Sequence, residues 1–226
     1  MARPTKSEVE ERQEFMQTIA DCARKPSLFS EVFLGHKLFD YNVKYVDCQD
    51  RFIVYRSGRQ VGKTMSTAVK AVHFAFFAPL MLKTVKNECT IVIAAPTQNQ
   101  ATIMFDRIRS LVINNEFLKG YIVRNTQSEL WLNFLDNTGM SKIITRATGE
   151  TGVGLRGYSP HVIIADECSF IKTLISLRPF LSGTPPSNFD CVAVINTFSN
   201  VIFVTMSIIS FKSSGFLVSS SLMKDM

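Results

Sequence analysis

Two clusters of side chains in this sequence carry groups that can act on a nucleotide's phosphate chain. The first ends the stretch "VYRSGRQVGKTMSTAVKAV" (54–72), where Gly62-Lys63-Thr64 closes a short polar turn between an apolar run and a helix. A turn at a helix N-terminus can direct backbone N–H groups at an anion, and the helix dipole favours the negative charge. The Lys63 amine would then reach the β- and γ-phosphates, and the Thr64 hydroxyl would ligate Mg²⁺. The usual spacing G-x-x-x-x-G-K-[ST] puts a glycine where this chain has Ser57, followed by Gly58, Arg59, Gln60 and Val61. Taken alone, the triplet is also compatible with a surface turn that happens to carry a lysine.

The second cluster is Asp166-Glu167, at the end of "HVIIADEC" (161–168) and about 100 residues downstream. An apolar strand running into two acids sets carboxylates at the carboxyl edge of a parallel sheet, where α/β proteins bind their ligands. Asp166 can hold Mg²⁺ and Glu167 can polarise an attacking water. By itself the pair also reads as a solvated helix start. Further on, "LSGTPP" (181–186) offers Ser182, Gly183 and Thr184, a small-residue stretch able to sense loss of the γ-phosphate or simply to turn the chain.

The elements that must position these groups follow from hydrophobic periodicity. Ser7 and Glu10 form a capping box for a helix over 7–24, with Val9, Met16, Ile19, Ala20 and Ala23 at helical spacing and Pro26 ending it. "RFIVYR" (51–56) and "CTIVIAAP" (89–96) read as strands, "MSTAVKAVHFAFFA" (65–78) as a largely buried helix. A helix over 98–114 turns Ile103, Met104, Ile108 and Leu111 to one face. "GYIVRN", "ELWLNF" and "KIITRA" are three further β-type runs separated by turn residues. Strands alternating with helices predict an α/β fold, a mostly parallel sheet with helices on both faces.

At 226 residues and 46% apolar content, the chain can bury a full α/β core. A net charge of +6 suits an acidic partner such as nucleic acid, and equally suits many proteins without one. The five cysteines (22, 48, 89, 168 and 191) form no C-x-x-C pair, which favours reduced thiols over disulfides or zinc. The charged start lacks the apolar core of a secretory signal. Of the 25 basic and 19 acidic residues, only five lie beyond residue 172. The uncharged run 192–211 is long enough for a membrane span, but seven of its 20 residues are Asn, Ser or Thr, and buried or poorly formed strands describe it better.

Taken in order, "SGRQVGKT", "APTQNQA", "GLRGYSPHVIIADECSFI" and "SGTP" resemble the ATPase half of the large subunit of viral and phage terminases, the DNA-packaging motors. That family's phosphate loop characteristically has an Arg-Gln pair before Gly-Lys-Thr and tolerates loss of the first glycine, which accounts for Ser57. The resemblance covers roughly residues 35–186. It implies a P-loop NTPase fold of the RecA-like (ASCE) type, with ATP and Mg²⁺ as cofactors. It implies residues 51–186 as the ATPase core, 1–50 as a helical segment on the adenine side, and 187–226 as an atypical apolar, Ser-rich tail.

For individual residues the resemblance implies phosphate binding by the loop 57–64 and metal binding by Thr64 and Asp166. Glu167 is the water-activating acid, and Ser182, Gly183 and Thr184 form the coupling motif. It implies Arg59, in the loop near the phosphates, and Arg156 in "GLRGYS" as charge-stabilising arginines, the latter within the subunit or across a ring interface; Arg156 equally reads as an exposed arginine on a Gly-rich loop. Tyr41-Asn42 stands where the family carries an aromatic followed by Gln against the adenine; Asn is one methylene shorter. The implied partners are double-stranded DNA, the portal protein, the small terminase subunit and further copies in a ring, in the host cytoplasm and without a membrane.

Two expectations depart from the family pattern. Only 14 residues separate Glu167 from Ser182, too few for a helix and a full strand, so the strand beside the acidic one is expected to be missing or shortened. The tail offers only Asp190 and Asp225, so no nuclease centre is expected in it. Two other function classes remain: a superfamily 2 helicase-like ATPase, which needs a second RecA-like domain, and a nucleotide- or DNA-binding module without turnover.

Overall fold

Val92 to Ala95 and Val162 to Ala165 are buried without interruption, the pattern of strands covered on both faces. The computed structural model describes residues 6–50, 52–58, 60–81, 85, 87–148, 158, 160–166 and 191–197. Along the chain the elements are α1 (Lys6–Arg24), α2 (Pro26–Val32), α3 (Asp40–Asp47), β1 (Phe52–Ser57), α4 (Lys63–Met81), β2 (Glu88–Ala95) and α5 (Gln98–Ile113). They continue with α6 (Glu116–Lys119), β3 (Ile122–Asn125), β4 (Glu129–Asn133), β5 (Met140–Ala147), β6 (Val162–Ala165) and β7 (Cys191–Thr197).

The strands form one sheet in the order β1-β7-β6-β2-β5-β4-β3. From β1 to β5 every pairing is parallel; β5-β4 and β4-β3 are antiparallel. The sheet is therefore mixed rather than mostly parallel. The physical reason is connection length. Three residues join β3 to β4 and six join β4 to β5, whereas a parallel crossover needs a dozen or more.

β4 alternates half-buried with buried residues, as a strand with one face on the core must. Leu130 and Leu132 of β4 point to the same side as Ile91 and Ile93 of β2, Ile143 of β5 and Ile164 of β6, and this side packs on α4 and α5. On the opposite side Val92, Ala94, Ile144, Ile163 and Ala165 are also buried. Among the described residues the helices in contact with the sheet lie on one face.

Helix α4 runs through the centre of the domain. Every residue from Ser66 to Ala78 is buried, which is the state expected of a helix apolar on all sides. Its polar members each find a partner. Ser66 Oγ donates to the Gly62 carbonyl at 2.9 Å, Thr67 Oγ1 lies 3.1 Å from the Tyr45 hydroxyl, and His73 Nε2 lies 2.8 Å from the Cys22 carbonyl. Lys70 is the notable case. Its amine donates to the carbonyls of Val46 (2.8 Å) and Cys48 (2.5 Å), so a buried cation closes the carbonyl end of α3.

Two sequence expectations change in detail. Ile103 is 65% exposed, and the core face of α5 is Ala101, Met104, Phe105, Ile108 and Val112 instead. The place beside β6 where a strand is expected to be missing is filled by β7, which pairs with β1 on one side and β6 on the other. It is drawn from residues 191–197, downstream of the "SGTP" stretch; residues 167–190, on which the short spacing falls, lie outside the described residues.

The turn into β5 brings Gly139 against the chain before β2. A Cβ there would lie 2.1 Å from the Asn87 carbonyl oxygen, while Met140 N–H donates to that same oxygen at 3.0 Å. Backbone cannot yield as a side chain would, so Gly139→Ala should lower stability by about 2 kcal/mol in urea denaturation. A variant as stable as the parent would show that the two segments separate freely.

Candidate functional site

β1 delivers the chain to the carboxyl edge of the sheet at Ser57, and α4 leaves that edge at Lys63, so residues 58–62 must reverse direction in five positions. Gln60 and Gly62 do so with φ of 60° and 80°. Left-handed residues in a turn before a helix rotate successive N–H groups toward one concavity. Gly62 is also confined sterically. A Cβ would meet Asn42 Nδ2 at 3.0 Å and the Phe39 ring at 3.7 Å.

Lys63 is the first residue of α4, and its amine reaches back to the Ser57 carbonyl at 3.4 Å, spanning the turn. Thr64 follows it, half-buried, in the first turn of the helix. Gly58 and Gln60 are exposed; Ser57, Val61 and Gly62 are partly covered.

Asp166 directly follows β6, its N–H donating to the Ala94 carbonyl at 2.8 Å. Register fixes its place relative to the turn. Ala165 is level with Val194 of β7, which is level with Val54 of β1. Asp166 therefore stands at the carboxyl edge about 10 Å from β1, two strand spacings away. The strand between them ends in Asn196 and Thr197, level with Arg56 and Ser57. Sequence reasoning did not place these two residues here, because strand order is not encoded locally.

The side of the turn away from the sheet is covered by α3 and the residues before it. Asn42 is 1% exposed; its Nδ2 donates to the Val61 carbonyl at 2.9 Å, and its Oδ1 accepts from the Tyr55 hydroxyl. Tyr55 stacks on Tyr45 with centroids 4.2 Å apart, and burial pushes its hydroxyl above the ordinary tyrosine range. Tyr41 is 46% exposed and stacks at 5.4 Å on Phe39, the ring nearest Gly62. Phe39 was not singled out from sequence. That its ring stands 3.7 Å from where a Gly62 Cβ would lie is a tertiary arrangement, with no motif to announce it.

The "APTQNQA" stretch forms the β2–α5 junction. Thr97 caps α5 by accepting from the Gln100 N–H, and Gln98 Oε1 accepts from Ala147 N–H at the end of β5. Arg59, Arg156, Glu167, Ser182, Gly183 and Thr184 lie outside the described residues. Among the described residues there is no cluster of three or more His, Cys, Asp or Glu, and no helix is long and apolar enough to cross a membrane. Thr64 at the start of α4 and Asp166 after β6 offer hard oxygen donors at one edge of the sheet, the donor type Mg²⁺ takes while retaining several waters.

Comparison with known proteins gives a consistent result. The family model for the N-terminal part of the T4likevirus-type terminase large subunit matches residues 54–178. The large terminase ATPase domain of Thermus phage P74-26 superposes with a TM-score of 0.60 at 22% identity, covering 79% of this chain and 72% of that one. The large terminase of bacteriophage HK97 gives 0.60 at 18% identity, over 77% of this chain and 37% of its own. A large terminase from a thermophilic bacteriophage gives 0.55 at 11% identity, over 71% of this chain and 39% of its own. The chain thus spans well under half the length of these two whole large terminases. No curated protein matches the sequence.

Proposed function

From a chain that belongs to the terminase large-subunit family, T4-like type, and carries the N-terminal ATPase-like domain of these DNA-packaging motors, we propose an Mg²⁺-dependent ATPase that drives double-stranded DNA into a capsid. One observation carries the reading. The turn between β1 and α4 places Lys63 at a helix start, on the same sheet edge as Asp166 and one intervening strand away. An added strand between the phosphate-loop strand and the acid-bearing strand is the RecA-like (ASCE) arrangement.

In this reading residues 57–64 cradle the phosphates and Lys63 neutralises charge on the β- and γ-oxygens. Thr64 and Asp166 hold Mg²⁺, which when bound screens the phosphate charge. Glu167 polarises the attacking water, and Arg59 and Arg156 stabilise charge building on the transferring group. Ser182, Gly183 and Thr184 transmit the loss of that group. Tyr41, with Phe39 beside it, lies against the nucleobase, and Asn42 belongs to the same wall.

Residues 51–186 form the core, completed by β7; 1–50 are the helical flank and 187–226 the apolar tail. The portal protein, the small terminase subunit and other copies of the chain in a ring are the partners, in the host cytoplasm. The test is steady-state phosphate release from ATP with Mg²⁺, with and without linear duplex DNA, beside Glu167→Gln. Release that rises with duplex and falls at least about 100-fold in the variant is expected. Stimulation by single strands alone would favour a helicase-like ATPase. No release from a folded, ATP-binding chain would favour a binding module.

A further inference from the structure

We propose that Asn42 is a positioning residue for the phosphate loop and does not read the nucleobase. The inference rests on the nucleotide-binding reading above and assigns a different task to one residue of that site. Chemistry fixes the orientation of the amide. The Val61 carbonyl can only accept, so the NH₂ end of Asn42 faces it; the oxygen end then faces Tyr55, whose hydroxyl donates. Both ends are engaged within the chain, and the side chain is 1% exposed, leaving no face for a base.

The consequence for the loop follows from peptide geometry. In a trans peptide the C=O and the following N–H point in opposite directions. All peptide bonds among the described residues are trans. Drawing the Val61 carbonyl toward α3 therefore turns the Gly62 N–H away from α3, toward the concavity in front of Lys63. This peptide lies between the two left-handed residues, Gln60 and Gly62, a backbone conformation that persists only where its surroundings hold it. Gln60 is held there although a non-glycine residue prefers otherwise.

The anchor itself is rigid. Asn42 sits in the first turn of α3, whose far end is closed by Lys70 from α4, and Tyr55 is fixed between Asn42 and the Tyr45 ring. One hydrogen bond thus couples the loop to both neighbouring elements.

The experiment compares binding of ATP, GTP and tripolyphosphate, each with Mg²⁺, by isothermal titration at a temperature where circular dichroism shows every variant folded. Asn42→Ala is expected to weaken all three by a similar factor, about tenfold for loss of one buried hydrogen bond. Asn42→Asp keeps the shape but sets a carboxylate against the Val61 carbonyl, and is expected to be at least as weak. Tyr55→Phe retains the amide and loses its anchor, so a loss of roughly threefold for all three ligands is expected. It serves as the probe if the Asn42 variants do not fold.

Tripolyphosphate decides the matter, since it has no base. A change in the ATP-to-GTP ratio with tripolyphosphate unaffected would make Asn42 a base reader and overturn the inference. Unaltered affinity for all three in folded variants would reduce Asn42 to a packing residue and also overturn it. Failure of the parent protein to bind any of them would instead remove the nucleotide-binding reading, and this inference with it.

Discussion

Lys63→Ala is expected to reduce ATP turnover at least about 100-fold while leaving the folded state within about 1 kcal/mol of the parent. The two halves of that expectation have separate causes. Phosphoryl transfer asks little covalent chemistry of a protein; its rate depends on charges placed where the phosphate oxygens gain negative charge. Lys63 is the described cation that opens α4 and reaches across the turn to the Ser57 carbonyl. Alanine also removes a contact that would hold the bound phosphates, so affinity for ATP should fall along with turnover.

The stability half follows from position. Lys63 is only partly buried, and alanine is the best helix former at that site. Phosphate release and a urea titration on the same preparation check both halves. Turnover near the parent's value would mean that the turn is an ordinary surface feature, and the ATPase proposal would fail at its centre. A collapse of stability would instead make Lys63 a structural residue.

The second large effect is on pH stability and resides in His73. Its ring is buried among Phe29, Phe74 and Phe77, with centroids 5.5, 6.5 and 4.9 Å away. Nε2–H donates to the Cys22 carbonyl, and Nδ1 has no hydrogen-bond partner among the described residues. Burial pushes the imidazole down from 6.5 to about 4, and the Lys70 charge one turn earlier adds to the effect.

The folded pKa is thus below the unfolded one, so the unfolded chain binds the extra proton between pH 6.5 and 4. Stability attributable to His73 is fully present above pH 6.5 and is lost as pH falls toward 4. From pH 7 to pH 5 the loss should be about 2 kcal/mol. Urea denaturation of the parent and of His73→Leu at both values measures it, because the difference between the two proteins cancels the other titrating groups. A parent that loses no more than the variant would show that the ring accepts a proton without penalty.

Much of this site was readable one segment at a time. The run 54–72 announces strand, turn and helix, and the structure has β1, the loop and α4 in those places. β2, α5 and β6 likewise fall close to their expected bounds. The antiparallel edge was also readable, since connections of three and six residues between β3, β4 and β5 exclude parallel crossovers. The alternation of strands and helices elsewhere concealed it. Ile103 shows the limit of periodicity: a helical face that reads as apolar can be offset by a residue, and only packing against α4 and the sheet selects Phe105 over Ile103 for the core.

By itself the sequence determined the chemistry on offer: a lysine and a threonine at a helix start, an acid pair at a strand end, and an order of motifs that places the chain in the terminase large-subunit family. These are local properties, since each depends on neighbours within a turn or a strand. Tertiary structure decided what stands beside what. It inserted 191–197 between β1 and β6 and set the Phe39 ring where a Gly62 Cβ would meet it. It also turned the Asn42 amide onto the Val61 carbonyl. The physical reason is that strand pairing and buried hydrogen bonds join residues far apart in the chain. Their partners are selected by burial and by the requirement that every buried polar group be satisfied, and neither is written in any one segment.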